Sequence, residues 1–285
     1  MQRRDFLATS AIATLGAGAT HFVAGALDAP AAPPLSEPAL PPTPASLMEP
    51  TTSSAAVTRK ILIAGGGYNT PYIRYMAQLT GKPRPRICYL PTASADAMDG
   101  IIWFYRQCAP LNVHPLDQPS FIESLSQKQG WDEVLLSMDG IVVSGGNTLN
   151  QQAIWKAQGI DVILREAYNR GIVLGGASAG SLCWFEEGTT DSRPKALSIV
   201  KCLGILPGSH SPHYDVEAGR RPLYHKLIGS GEMKPGYACD EDAGIYFEDG
   251  QVKRVVTSRA GAKCYFVSAP SGGVVERVME PEMIA

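Results

Sequence analysis

Short apolar runs alternate with longer segments of helical periodicity through most of this chain. Glycine, proline and small polar residues bound each apolar run, a pattern that favours buried strands. Strand, helix and strand connected this closely predict right-handed βαβ units, and therefore a mostly parallel sheet. The predicted strands are Lys60–Ala64, Arg86–Leu90, Asn112–Leu116, Gly140–Ser144 and Ile172–Gly175; the predicted helices are 70–79, 96–108 and 149–169, the last with a break near Gly159.

The C-terminal part follows a different pattern. Gly244–Glu248 and Gln251–Thr257 flank the dipeptide Asp249-Gly250, which predicts a β-hairpin. Two more strands are predicted at 263–267 and 273–278. We interpret these elements as an antiparallel extension of the same domain. The predicted fold class is α/β, a doubly wound, mostly parallel sheet flanked by helices, with a C-terminal antiparallel hairpin extension.

The first 58 residues do not resemble a folded domain. Arg3 and Arg4 precede Phe6-Leu7 and a short run of small apolar residues, which resembles a twin-arginine export signal over 1–26. Residues 27–58 are rich in proline, alanine and serine, which predicts a disordered linker. The catalytic domain is therefore expected over 59–285. The expected location is periplasmic or secreted, with the twin-arginine export machinery as a partner.

Composition excludes several classes of partner. The net charge is −2, with 18% charged residues and no basic cluster, so nucleic acid is not expected. The apolar run of the signal is too short to be a stable membrane anchor. The six cysteines show neither C-x-x-C pairs nor zinc-site spacing, and we interpret them mainly as small buried hydrophobes. No metal and no organic cofactor is expected. The oligomeric state stays open, a homodimer included.

The sequence Gly-Gly-Ala-Ser-Ala-Gly at 175–180 carries the clearest chemical signal. It follows an apolar run and precedes small apolar residues, so it predicts a sharp strand-to-helix turn with Ser178 at the corner. Ligand crevices in such sheets lie beyond the carboxyl ends of the strands. Further glycine-rich or small polar motifs follow the predicted strands at 65–69, 91–94 and 144–148, so we expect one cleft around Ser178.

A serine nucleophile needs a base and a group that orients the base. His210 and His213 lie in a loop downstream of the turn, and His213, between Pro212 and Tyr214, is the preferred base. The orienting acid is less well determined. Asp191 gives the order Ser, Asp, His, whereas Asp215 is too near His213 along the chain to orient its ring easily.

The segment Ser144–Thr148 supplies candidates for binding the reacting carbonyl. Paired glycines let backbone N–H groups approach a ligand closely, so Gly146 and Ala179 are the predicted oxyanion donors. Gly145 and Asn147 are candidate substrate-binding residues, although Asn147 also suits the N-cap of the next helix. No Walker motif or G-x-G-x-x-G frame is present, so nucleotide binding is not supported.

Four motifs in this order resemble the peptidase E (aspartyl dipeptidase) family of serine peptidases. They are Gly-Gly-Asn-Thr at 145–148, Ser-Ala-Gly at 178–180, Thr-Asp at 190–191 and Pro-His-Tyr-Asp at 212–215. The resemblance covers about residues 60–267 and implies a class I glutamine amidotransferase-like fold. It implies Ser178 as the nucleophile, His213 as the base and Asp191 as the third member. It also implies that Arg220 or Arg221 holds the carboxylate of an N-terminal aspartate.

The expected activity is therefore hydrolysis of short peptides, including dipeptides that begin with aspartate, through an acyl-enzyme. Two alternatives stay open. The chain could be a cyanophycinase-like hydrolase of β-aspartyl peptides, since such enzymes have a similar elbow. It could also be a non-catalytic binding module on an amidotransferase-like fold, because one fold hosts many functions.

Overall fold

The structure, a computed structural model, describes residues 57–121 and 126–285. The signal expected at 1–26, and all but the end of the linker expected at 27–58, lie outside the described residues. The described residues belong to one compact unit. No helix in the described ranges has both the length and the apolar character needed to span a bilayer.

An eight-stranded sheet forms the centre of the fold. Its strands lie in the order β14-β11-β10-β1-β5-β4-β2-β3. The block β1-β5-β4-β2-β3 is parallel, as the sequence predicts, and β10 joins it antiparallel to β1. These strands are β1 Lys60–Ala64, β2 Arg86–Leu90, β3 His114–Asp117, β4 Gly140–Val143, β5 Val173–Ala177, β10 Ala243–Glu248, β11 Gln251–Thr257 and β14 Glu282–Met283.

Helices cover both faces of the parallel block, because successive side chains of a strand point to opposite sides. Ile61 and Ile63 pack in one apolar cluster with α3, α4 and α5, while Leu62 and Ala64 pack in another with α1 and α2. The helices of the described residues are α1 Thr70–Thr80, α2 Met98–Cys108, α3 Trp131–Leu135, α4 Thr148–Gln158, α5 Ile160–Asn169, α6 Ala179–Leu182 and α7 Arg220–Gly229.

Two local predictions are confirmed. The predicted break in the long helical segment falls at Gly159, which has φ 72° and separates α4 from α5. A left-handed φ suits glycine because it has no Cβ. The predicted hairpin at Asp249-Gly250 joins β10 to β11, which are antiparallel.

A second, six-stranded sheet has the order β13-β12-β9-β8-β6-β7. The two strands predicted after residue 260 belong to this sheet and do not extend the hairpin. The predicted antiparallel extension therefore described the hairpin but not the second sheet. Its other four strands had not been predicted as a sheet. They include a parallel group, β6-β8-β9. The strands are β6 Phe185–Thr190, β7 Ser198–Lys201, β8 Leu206–Ser211, β9 Gly236–Cys239, β12 Cys264–Ser268 and β13 Val275–Met279.

The cysteines are mostly core residues, as the sequence predicts. All six are free thiols, and only Cys202 is partly exposed. Cys239 and Cys264 lie opposite each other on β9 and β12, with their sulfur atoms 3.3 Å apart. Burial raises the pKa of the Cys88 thiol to about 12, so this group stays protonated near neutral pH.

Candidate active site

Ser178 occupies a sharp turn between β5 and α6. Its backbone has φ 57° and ψ −120°, a conformation that non-glycine residues rarely adopt. The turn is tight because a Cβ at Gly176 or at Gly180 would lie well inside contact distance of the Val143 carbonyl oxygen. Glycine at these two positions lets the turn pack directly against β4. The strand, turn and helix are those of a nucleophile elbow.

A cavity of about 170 Å³ lies in front of this turn. It is bounded by the carboxyl ends of β1, β5, β4 and β2, where the sequence predicts the cleft. Ser178 and His213 both line it. Among the described residues no hydrogen bond joins their side chains, and such bonds are often long before substrate binds. The cavity therefore brings the expected nucleophile and base to one place.

The Glu241 carboxylate contacts the Nδ1 atom of the His213 ring. The Nδ1–H group of His213 donates to Glu241 Oε2 at 2.6 Å, which leaves Nε2 for a proton acceptor role. The backbone N–H and carbonyl groups of Glu241 each form a hydrogen bond with another side chain. Glu241 N donates to Asp215 Oδ1 at 2.8 Å, and Arg259 donates to the Glu241 carbonyl oxygen at 2.8 Å. The carboxylate can therefore orient the imidazole and stabilise its protonated form.

The acid predicted from sequence, Asp191, is wrongly placed for this role. Its side chain is 65% exposed at the end of β6, and its ion pair is with Arg220, at 3.7 Å. Glu241 takes the place because β8 and β9 are parallel neighbours, and His213 and Glu241 each follow the end of their strand by two residues. Sequence reasoning missed Glu241, although its position two residues after the short run Gly236–Cys239 was a usable signal.

Backbone donors lie beside Ser178. A Cβ at Gly145 would stand 3.3 Å from the Ser178 Cβ, so the β4 loop runs directly past the serine. Within the described residues, the N–H groups of Gly146 and Ala179 have no recorded acceptor. Gly146 has φ 132°, and a Cβ there would collide with the Ala93 carbonyl group. The arrangement is compatible with the predicted oxyanion site.

The peptidase family S51 model matches residues 61–255 of this chain. The chain belongs to peptidase family S51. "Uncharacterized peptidase YgaJ" of Bacillus subtilis (strain 168) is 41% identical over 221 residues, which are 76% of this chain and 94% of that protein. The family and this relative identify the chain as a serine-type peptidase.

Two solved structures share the fold of this S51 peptidase. A peptidase from an acI-B1 Actinobacterium has a TM-score of 0.61 at 14% identity, covering 79% of this chain and 96% of its own. A putative peptidase E protein from Listeria monocytogenes EGD-e has a TM-score of 0.53 at 17% identity, covering 69% of this chain and 97% of its own. The expected α/β fold with a mostly parallel sheet is confirmed.

The two arginines expected to hold a substrate carboxylate do not line the cavity of the S51 peptidase. Arg220 is 2% exposed, donates from Nε to Glu217 at 2.7 Å and donates from Nη1 to the Thr189 carbonyl oxygen at 2.7 Å. The Arg221 guanidinium lies 4.7 and 4.6 Å from the ring centres of Tyr214 and Tyr265, and 3.2 Å from Glu276. In the structure these donors contact the segment before α7 and residues of the second sheet, so the geometry gives no support to the two predictions.

Asn147 also has a structural role. Its Oδ1 accepts a hydrogen bond from Asn150 N at 2.9 Å, and its Nδ2 donates to the Ser192 carbonyl oxygen at 3.1 Å. The side chain is thus the N-cap of α4, the alternative left open by the sequence. Its polar atoms are occupied within the protein, so the predicted contact with substrate is not supported for this residue.

His210 is buried and separate from the cavity. Its ring contacts Ser181 Oγ at 2.9 Å and the Tyr237 carbonyl oxygen at 3.0 Å. Burial lowers the pKa of His210 to about 3, so this ring is neutral near pH 7. This supports the preference for His213 as the base. Across the described ranges, no group of three His, Cys, Asp or Glu side chains has an arrangement that could hold a metal ion.

Proposed function

We propose that the chain hydrolyses short peptides with Ser178 as nucleophile, His213 as general base and Glu241 as the acid that orients His213. One observation carries this proposal. Ser178 and His213 line one cavity, while Glu241 Oε2 lies 2.6 Å from His213 Nδ1 and leaves Nε2 without a partner in that contact. The contact supports a Ser-His-Glu triad, in that chain order, in place of the Ser-His-Asp triad expected from sequence.

The reaction follows from these positions. His213 Nε2 takes the proton of the Ser178 hydroxyl as Oγ attacks the peptide carbonyl carbon, and the N–H groups of Gly146 and Ala179 stabilise the oxyanion. The imidazolium then gives its proton to the leaving amine, and an acyl-enzyme forms. Water, deprotonated by His213, attacks the acyl group and restores the Ser178 hydroxyl. The small cavity favours a short substrate.

A fluorophosphonate probe tests the nucleophile directly. We expect one adduct per chain, located on the peptide that contains Ser178 by mass spectrometry, because only an activated serine attacks such a probe readily. The matched control is the variant Ser137→Ala. Ser137 is an exposed serine that precedes β4, at the end of the sheet opposite to Ser178. An adduct on a different serine, or none on native protein, would refute the assignment and favour a non-catalytic binding module.

We also propose that the enzyme is exported by the twin-arginine route. The support is the sequence alone, namely Arg3-Arg4 before a short, small-residue apolar run. In a bacterial host with this route, we expect the full-length chain in the periplasmic fraction and the Arg3→Lys, Arg4→Lys double variant in the cytoplasm. Equal distribution of the two proteins, measured by immunoblot, would contradict this proposal.

A further inference from the structure

The lining of the cavity at Ser178 is mostly apolar, and it carries no acidic or basic side chain apart from the proposed base. Aromatic residues and valines are among the residues that line it. Apart from His213, the lining residues include no histidine, lysine, arginine, aspartate or glutamate. The aromatic and valine residues that line the cavity are Tyr68, Tyr89, Trp103, Val142 and Val143.

The arginine closest to the catalytic acid is also occupied. Arg259 contacts Asp215 at 2.5 Å and Asp242 at 3.5 Å, and it donates to the Glu241 carbonyl oxygen. Arg220 and Arg221 are held by other carboxylates, as described above. Within the part of the chain that the structure describes, none of these three guanidinium groups lines the cavity, and each is already paired with a carboxylate.

Two of the lining residues, Ser144 and Tyr89, carry hydroxyl groups that lie near each other. The Ser144 hydroxyl is buried and lies near enough to the Tyr89 phenol to affect its pKa, yet it has no partner of normal hydrogen-bond geometry among the described residues. Burial raises the pKa of Tyr89 to about 12, so the phenol is neutral. Two hydroxyl groups can bind a neutral polar atom of a ligand, but they supply no counter-charge.

These surroundings discriminate between substrate side chains by charge. A carboxylate that leaves water needs a cation, because desolvation of an unpaired charge is strongly unfavourable. An uncharged side chain gains from each apolar atom that it buries. The space is sufficient, since an apolar cavity of about 150 Å³ can hold a benzene ring and this one has about 170 Å³.

We propose that the cavity binds an uncharged, mainly apolar side chain next to the scissile bond, and that aspartate is a poor substrate residue there. This inference rests on the proposed function, since it assumes that the bond broken lies at Ser178. Trp103 is the main specificity-determining residue that a variant can test, because it is 36% exposed at the cavity wall and its loss removes contact area without opening the core.

Three nearly isosteric side chains test the role of charge. We expect kcat/KM for Leu-Ala to exceed that for Asp-Ala by at least about tenfold, with Asn-Ala between them. The reversed dipeptides Ala-Leu, Ala-Asn and Ala-Asp show which side of the scissile bond enters the cavity. If Asp-Ala or Ala-Asp is the best substrate of its series, the inference is overturned while the serine mechanism stands.

A pair of variants on α2 tests whether Trp103, a lining residue of the cavity, determines substrate specificity. Trp103→Ala is expected to lower kcat/KM for the preferred leucine dipeptide by about tenfold and to leave Ala-Ala within about twofold. Tyr105→Ala is the matched control, because Tyr105 is an aromatic residue of the same helix, 39% exposed, that does not line the cavity. Equal losses on both dipeptides, or an equal loss in the control, would contradict a side-chain-specific role for Trp103.

Labelling at Ser178 separates the two proposals. If the probe does not react with Ser178, the proposed function fails. If it reacts but no dipeptide is cleaved, the rate of labelling is measured with leucinamide, asparaginamide or aspartic acid α-amide present. Stronger protection by leucinamide supports the inference, while equal protection by all three or stronger protection by the aspartate derivative overturns it.

Discussion

Ser178→Ala is expected to lower kcat by about 10⁴-fold or more, the scale seen when a triad member is lost. Alanine removes the Oγ atom that forms the acyl-enzyme and leaves the Cβ, so the strained turn keeps its shape. Residual activity would come from the oxyanion donors and from substrate positioning. The measurement is kcat with the best dipeptide found in the leucine, asparagine and aspartate series.

Two controls accompany this variant. Ser137→Ala makes the same chemical change at an exposed site outside the cavity and should keep kcat within about twofold, since surface substitutions of this kind are usually near neutral. The melting temperature of Ser178→Ala, followed by circular dichroism, shows whether the variant is folded. A folded Ser178→Ala enzyme that turns over at the native rate would refute the covalent mechanism.

Glu241→Gln is expected to lower kcat by about 10² to 10⁴-fold, because the amide cannot stabilise the imidazolium and can hold the wrong tautomer of His213. Glutamine has the same size, so the hydrogen bonds of the residue 241 backbone to Asp215 and Arg259 should persist. The measurement is kcat at saturating dipeptide. Labelling of Ser178 by the fluorophosphonate should slow in parallel, since the same base activates the serine.

Asp191→Asn is the matched comparison for Glu241→Gln. Both changes remove one carboxylate charge, but the Asp191 side chain is 65% exposed and contacts Arg220 rather than His213. We expect its kcat to stay within about twofold of the native value. The opposite outcome, a large loss at Asp191 and none at Glu241, would restore the acid predicted from sequence and exclude the one inferred from the structure.

The parallel block and the elbow were predictable because their signals are local. An apolar run such as Ile172–Leu174, which ends at a glycine pair, indicates a buried strand, and the glycines around Ser178 indicate a turn within a few residues. The same holds for Gly159 and for the hairpin at Asp249-Gly250. In each case the residue that determines the structure is part of the element, so no knowledge of distant contacts was needed.

The second sheet was not predictable in the same way. Strands β6 and β8 bury polar side chains, so they lack the apolar alternation that marks a strand. Thr189 and Ser211 satisfy each other through hydroxyl groups 2.8 Å apart, and Ser209 lies 2.7 Å from the Tyr224 hydroxyl. Such pairing is visible only once distant segments meet. Without it, the parallel neighbours β8 and β9, and hence the place of Glu241, could not be deduced.

The arginines illustrate the same limit. Arg220 and Arg221 closely follow His213, the proposed base, along the chain, as a carboxylate-binding arginine would. Their partners, Glu217 for one and the rings of Tyr214 and Tyr265 for the other, are determined by how α7 packs. A guanidinium has five donors and serves structure as readily as recognition. Proximity in sequence could not distinguish these two uses.

The proposed catalytic groups come from two different sheets. Ser178 follows β5 of the eight-stranded sheet, whereas His213 and Glu241 follow β8 and β9 of the six-stranded one. A shift of about 1 Å between reacting groups can reduce turnover by about 100-fold. The catalytic rate is therefore sensitive to the relative position of the two sheets. A neighbouring chain or a bound molecule that shifted one sheet relative to the other would lower the turnover rate. It would do so without unfolding either sheet and without contacting any reacting atom.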